Sequence, residues 1–346
     1  MNVALVTPRY EPHSGGVETH VQELAERLAT NHEVTVVTAD WTSAGGRRDV
    51  RNGVSVHRCR GFAPGNAFHI APGVTSAVSN LDADIVHVHN YHALPAAFAE
   101  IGSSAPVVVT PHYHGESASA FRNRLLRLYR PIGGRVLRNA AAVLAVGKWE
   151  RDRLWEDFGV DAMVVPNGID VARFREAEPY ERSRPYLLTV GRLVEYKGVQ
   201  HAIRALTQLD GFDLLVAGSG PYGERLREIA TAENVADRVE FLGYVPDEQL
   251  PSLYAGAEAY VTLSSFEAYG LTVGEALAAG TPCVVRSCRG LSDWTEREDC
   301  IGLDVVRPKI ISDAILSIVN RSASSRGIPT WEDTTEKVLT VYQSHK

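Results

Sequence analysis

The sequence predicts an α/β protein built from two doubly wound, Rossmann-like domains. Short β-branched apolar runs alternate with helix-period patterns along both halves. At 346 residues the chain is long enough for two domains of ordinary size. A charged, aliphatic-poor stretch containing Pro179 and ending at Pro185 separates the halves.

The first half offers strands near 2–8, 33–39, 54–59, 84–89, 106–111, 141–146 and 162–165. Their β-branched content (Val34, Val36 and Val37; Val107, Val108 and Val109) suits strands buried on both faces. Between the first two, Val17, Val21, Leu24, Ala25 and Leu28 recur at helical spacing. Residues 1–170 are read as one domain and 171–184 as the linker. A second domain over 185–330 repeats the plan, with strands at 186–190, 213–217, 239–242, 259–263, 282–285 and 301–305. Residues 331–346 carry a last amphipathic helix after the loop 322–329. Two doubly wound domains facing each other would set their strand C-termini, and hence their ligand loops, along a common cleft.

The composition, 45% hydrophobic and 22% charged, is that of a globular protein and excludes a disordered one. No run of about 18 apolar residues exists to span a bilayer, and the start lacks the basic and apolar regions of a signal peptide. The four cysteines show no Cys-x-x-Cys pair and read as reduced, buried thiols. A cytoplasmic location is therefore expected, with peripheral attachment to the inner face of the cell membrane left open.

The net charge of −7 hides an asymmetry. Residues 1–175 carry 18 Lys and Arg against 17 Asp and Glu, whereas the remainder carries 17 against 25. Between residues 117 and 149 there is no acid, yet six arginines and one lysine stand there. An acidic whole argues against nucleic acid as a partner, while a local basic helix argues for one specific anionic surface. Over 121–138 that helix is expected to be interrupted at Pro131 and Gly133-Gly134, with Leu125, Leu126, Leu128 and Tyr129 on an apolar side. Arg122, Arg124, Arg127 and Arg130 form a candidate membrane or acceptor patch, the alternative being arginines simply held in water. Each basic residue near an anionic leaflet contributes on the order of 1 kcal/mol.

Two segments of the second half carry the chemistry. Gly191-Arg192-Leu193-Val194-Glu195-Tyr196-Lys197-Gly198 is a strand-ending turn with two cations, suited to a diphosphate. The run Phe266 to Gly280 contains Glu267 and Glu275, whose carboxylates can accept from hydroxyls. The amides of Tyr269, Gly270 and Leu271 would open a helix and donate to phosphate oxygens, and Gly270 lets the backbone approach a ligand closely. Together these describe a sugar-nucleotide pocket. Gly15-Gly16 enters the first helix, and Gly218-Ser219-Gly220-Pro221 is either a tight turn or a nucleotide-facing loop.

His87, His89, His92, His112 and His114 crowd the first domain. His-x-His puts both rings on one side of a strand and raises a metal site, but no Cys or Glu stands at supporting spacing. The histidines are read as strand ends with no metal assigned. Asp82-Ala83-Asp84 imitates a metal clamp, but it precedes a buried strand and reads as a structural corner. No cofactor and no divalent metal are expected.

In this order, Gly15-Gly16, His112, Pro166-Asn167-Gly168-Ile169-Asp170, Gly218-Ser219-Gly220-Pro221 and the glutamate pair resemble the retaining glycosyltransferases of family four, enzymes of GT-B fold. The resemblance runs nearly end to end, and it implies that the terminal helix of 331–346 crosses back onto the first domain. It implies that Arg192 and Lys197 hold the diphosphate, Glu267 touches the transferred sugar, Glu275 accepts from the ribose and His112 contacts the donor sugar. It also implies that Gly15, Gly16, Gly191, Gly218, Tyr269, Gly270 and Leu271 line the donor. The expected partners are a sugar nucleotide and a hydroxyl acceptor, lipid-linked or a growing glycan. A sugar-nucleotide epimerase and a non-catalytic binder are the alternatives.

Overall fold

The computed structural model describes residues 1–346 except Ser14, 40–46, 64–67 and 117–119, together with the side chains of 47 and 120–122. The chain divides into two compact units, Met1–Gly168 with Trp331–Lys346, and Ile169–Thr330.

The first unit contains strands β1 (Asn2–Thr7), β2 (Glu33–Thr38), β3 (Arg47–Arg51), β4 (Val54–Arg58), β5 (Ile85–His89), β6 (Val107–Thr110), β7 (Ala142–Ala145) and β8 (Met163–Val164). They form one sheet in the order β3-β4-β2-β1-β5-β6-β7-β8. Only the β3–β4 pair is antiparallel. Its helices are α1 (Gly16–Ala29), α2 (Gly73–Ser79), α3 (Pro95–Gly102), α4 (Ala120–Asn139) and α5 (Lys148–Phe158). Successive residues of β1 serve opposite faces: Val3 and Leu5 join the core that includes α1, while Ala4 and Val6 join the core of α2 to α5. Burial on both sides is what makes these strands continuously apolar.

Parts of this unit depart from the sequence expectation. Strand β3 was not anticipated, because Arg47-Arg48-Asp49-Val50-Arg51 is charged and lacks apolar alternation. It forms through a hairpin whose turn is Asn52 (φ 49°) and Gly53 (φ 80°), an Asn-Gly pair suited to the twist of two strands. Its charges fit an edge position. Helix α4 is continuous through Pro131 rather than interrupted. Gly133 and Gly134 do not break it: a Cβ at Gly133 would fall 2.5 Å from the Tyr91 ring, and one at Gly134 3.1 Å from Phe158. They are small so that α4 can pack closely. Leu128, expected on the apolar side, is 71% exposed.

The second unit has an all-parallel sheet, β11-β10-β9-β12-β13-β14. Its strands are β9 (Tyr186–Val190), β10 (Asp213–Ala217), β11 (Val239–Gly243), β12 (Ala259–Thr262), β13 (Cys283–Arg286) and β14 (Cys300–Leu303). Its helices are α6 (Val171–Arg175), α7 (Val199–Ala205), α8 (Gly223–Ala232), α9 (Leu250–Ala255), α10 (Leu271–Ala278) and α11 (Pro308–Ile318). The chain leaves β9 toward β10 on one side and returns with β12 on the other, so the strand order reverses at β9 and β12. Ligands of open parallel sheets bind outside the strand C-termini at such a reversal.

The stretch read as a linker begins inside this unit. Asp170 caps α6, its carboxylate accepting from the Arg173 amide at 3.2 Å, and Phe174 is buried against Tyr254. One buried ring among charges was too short a pattern to read as a helix. The last helix, α12 (Trp331–His345), belongs to the first unit. Val338, Val341 and Tyr342 lie in the core shared with α1, and Arg27 pairs with Glu332 at 2.9 Å.

Candidate active site

In the second unit the two chemistry-bearing loops follow β9 and β12, at the strand-order reversal. Gly191 (φ 146°) turns the chain out of β9. Gly218 is required by the same turn: a Cβ there would lie 1.9 Å from the Gly191 carbonyl oxygen. The Gly218–Pro221 loop therefore packs on the cation-bearing turn, and the Leu193 amide donates to the Ser219 carbonyl at 3.0 Å. Its demonstrated work is to hold that turn in place.

The turn presents Arg192 exposed, with no side-chain partner among the described residues. Lys197 instead meets Glu267, Nζ to Oε1 at 2.5 Å, across a sequence separation of 70 residues. Burial alone would pull the Lys197 ammonium down, but Glu267 outweighs it and holds the group above its ordinary value. Sequence reasoning assigned the two residues to different parts of a ligand; the fold makes them partners.

Helix α10 begins at Leu271 with Gly270 as its left-handed cap (φ 88°), where a Cβ would strike Leu291 at 2.6 Å. The amides of Tyr269, Gly270 and Leu271 donate to no acceptor among the described residues, and the Tyr269 carbonyl accepts from Trp294 Nε1 at 2.7 Å. Glu275 sits one turn further on, partly buried, and Tyr254 donates to its Oε2 at 2.9 Å. Desolvation pushes the Glu275 carboxyl up to about 7, against the opposing Tyr254 hydrogen bond. Tyr254 carries no local signal and was missed. Arg289 was missed too: its guanidinium lies 4.4 Å from the Phe266 ring centroid, and its Nε donates to the Ser265 carbonyl at 3.0 Å.

In the first unit Gly16 opens α1, with Gly15 before it in extended backbone. His112 lies two residues past β6 at φ 48°, a left-handed conformation uncommon for a side-chain-bearing residue. It is buried beside His89 and His20. His20, on α1, was not among the histidines singled out from the sequence. His87 is satisfied on both nitrogens by the Tyr342 hydroxyl (2.6 Å) and Thr110 Oγ1 (2.7 Å), and His92 stacks on His114 at 4.0 Å. In the Asp82–Asp84 corner, Asp84 accepts from the Asn2 amide at 2.8 Å and pairs with Lys346 at 3.1 Å.

The basic helix presents Arg124, Arg127 and Arg130 exposed; the Arg122 side chain lies outside the described residues. Arg130 and Arg153 both pair with Asp157, at 3.1 and 2.8 Å. Together with Tyr113, Asn123 and Arg127 they line a pocket of about 120 Å³. Arg127 has no partner among the described residues. The four cysteines are unpaired, and among the described residues no helix is long and apolar enough to cross a membrane.

Residues 14–173 match the family described as Glycosyltransferase Family 4, and residues 170–326 match Glycosyl transferases group 1. A glycogen synthase of Mycobacterium tuberculosis is 30% identical over 329 residues, covering 85% of this chain and 80% of the relative. The chain belongs to the family 4 glycosyltransferases. A second relative of this glycosyltransferase, a GDP-mannose-dependent alpha-(1-6)-phosphatidylinositol monomannoside mannosyltransferase of M. tuberculosis, is 28% identical over 349 residues, 92% of this chain and 89% of the relative. Among solved structures, sucrose-phosphate synthase of Thermosynechococcus elongatus superimposes with a TM-score of 0.82 at 20% identity, covering 99% of this chain and 98% of that one. Anabaena HepE in complex with UDP does so with a TM-score of 0.75 at 17% identity, over the same shares of the two chains. The glycosyltransferase thus has the GT-B fold, each unit being a parallel-sheet α/β domain.

Proposed function

We propose that this glycosyltransferase moves a sugar from a nucleoside diphosphate to an acceptor hydroxyl with retention of anomeric configuration, without a divalent metal. The observation that carries the reading is the cluster at the β9–β12 reversal: unpartnered Arg192, the Lys197–Glu267 pair and the unoccupied amides before α10. Arg192 and Lys197 neutralise the diphosphate as its bond to the sugar breaks, a charge that preorganised donors stabilise. Glu267 faces the sugar, which gains positive character, and Glu275 with Tyr254 takes the ribose. The acceptor oxygen bonds to the anomeric carbon from the side the diphosphate leaves, and the acceptor's proton passes to the departing phosphate oxygen. The second unit serves the donor and the first the acceptor, with His112 contributing to the donor sugar.

Support for a lipid-linked acceptor comes from α4, whose exposed face mixes Arg124 and Arg127 with Leu128 and Ile132. The phosphatidylinositol monomannoside mannosyltransferase relative supports the same class of acceptor. The exposed arginines of this face support attachment to an anionic inner leaflet.

The test incubates GDP-mannose, UDP-glucose and UDP-N-acetylglucosamine with and without phosphatidylinositol or glycan acceptors. Nucleoside diphosphate release that depends on an acceptor is expected. A new sugar isomer from donor alone would establish an epimerase, and tight binding without turnover a binding protein; either outcome overturns the reading.

A further inference from the structure

Three histidines from separate elements converge at the strand-order reversal of the first unit. His20 comes from α1, His89 ends β5 and His112 lies just past β6. One ring nitrogen of each lies within 4.8 Å of the other two. The ring centroids stand 4.9 Å apart for His20–His112, 5.2 Å for His20–His89 and 5.8 Å for His89–His112. All three rings are buried, and His20 Nε2, His112 Nε2 and both nitrogens of His89 have no hydrogen-bond partner. Leaving a buried polar atom unsatisfied is costly, and here four such atoms stand together.

The surrounding groups sharpen the point. His20 Nδ1 meets Asn167 Oδ1 at 2.8 Å. An amide oxygen only accepts, so Nδ1 carries the proton and Nε2 keeps its lone pair. That is the outer-shell arrangement that orients a metal-ligating imidazole. His87, whose ring lies 4.1 Å from His89, is already satisfied and stays outside the set.

We propose that His20, His89 and His112 form a tri-imidazole site for a divalent transition metal of the zinc class. Zinc binds imidazole nitrogen at about 2.0–2.1 Å, which places tetrahedral ligand atoms about 3.3 Å apart. The rings therefore close by up to about 1.5 Å, a movement within reach of side-chain rotation. Three neutral nitrogens and no carboxylate suit zinc, cobalt or nickel and do not suit magnesium or calcium, which require oxygen. A bound ion ties α1 to the ends of β5 and β6. It also occupies His112, so on the role proposed above for that residue the loaded enzyme transfers sugar more slowly; metal binding itself does not depend on that reading.

The experiment titrates the full chain with Zn²⁺ and Co²⁺, following uptake by equilibrium dialysis and the Co²⁺ visible spectrum. One ion per chain is expected, with the intense bands of a low-coordinate nitrogen site and three nitrogens at about 2.0–2.1 Å by X-ray absorption. His20→Gln and His89→Gln should abolish uptake, whereas His201→Gln in the second unit should leave it unchanged. Asn167→Ala keeps all three ligands and should weaken affinity about 10–100-fold, the usual consequence of losing an outer-shell partner. If the histidine variants unfold, Asn167→Ala and the wild-type spectrum still decide. Absence of stoichiometric uptake, uptake indifferent to Asn167→Ala, or the weak bands of an oxygen-coordinated ion would each overturn the site. Loss of donor turnover under every condition, with uptake intact, would instead refute the transferase reading alone.

Discussion

Glu267 meets Lys197 at 2.5 Å and holds its ammonium above the ordinary value, so what Lys197 presents to a ligand depends on its partner. Replacing Lys197 with Ala removes the cation proposed for the diphosphate and strands the Glu267 carboxylate; turnover should fall by roughly a hundredfold or more. Arg192→Ala should show a similar loss with unchanged thermal stability, because Arg192 is exposed and supports nothing else. Near-wild-type turnover in both would remove the phosphate role. Glu275 yields a prediction in pH. An acid whose folded pKa is raised stabilises the fold fully below its unfolded value near 4.5, and that stability is lost as pH rises through about 7. The melting temperature without donor should therefore fall across this window, by the equivalent of about 1–3 kcal/mol after allowance for partial exposure. Glu275→Gln should flatten that slope and weaken donor binding. A slope that persists in the variant would assign it to another group. The loops that carry these residues were legible because each motif is local, a few residues between a strand and a helix. The 2.5 Å contact between them was not, because it depends on β9 and β12 lying side by side.

At the scale of elements, α4 shows how composition misleads. Pro131 and two glycines suggested a break, yet a 20-residue helix runs through them. The proline ring stands on the exposed side, while the glycines admit Tyr91 and Phe158. The face left outward carries Arg124, Arg127 and Leu128. If it docks on membrane, binding to vesicles should rise with anionic lipid and fall with salt, since exposed charges are screened beyond about 8–10 Å at physiological ionic strength. Arg124→Glu with Arg127→Glu should weaken vesicle binding and leave donor affinity alone. Equal binding to neutral and anionic vesicles would return α4 to a purely structural role. Strand β3 teaches the converse lesson: its Asn-Gly turn was present in the sequence, but the charges around it concealed an edge strand whose pairing is set by β4.

For the whole molecule, the return of α12 to the first unit binds the last residues to the first. Trp331, Val338, Val341 and Tyr342 are buried, and Tyr342 also serves His87. Burying each such side chain stabilises by about 1.5–3 kcal/mol, against total stabilities of about 5–15 kcal/mol for a domain. A chain ending at Thr330 should therefore lose cooperative unfolding of the first unit in urea; a midpoint equal to the full chain's would show that α12 is dispensable. The sequence by itself determined the α/β class, nearly every strand, and the loops bearing Arg192, Lys197, Glu267 and Glu275, because hydrophobic period and turn chemistry are local. Only the tertiary structure decided which distant residues meet: Lys197 with Glu267, Tyr254 with Glu275, and His20 with His89 and His112. Those meetings follow from strand order and crossover, which juxtapose residues far apart in the chain and leave no mark on the sequence around any one of them.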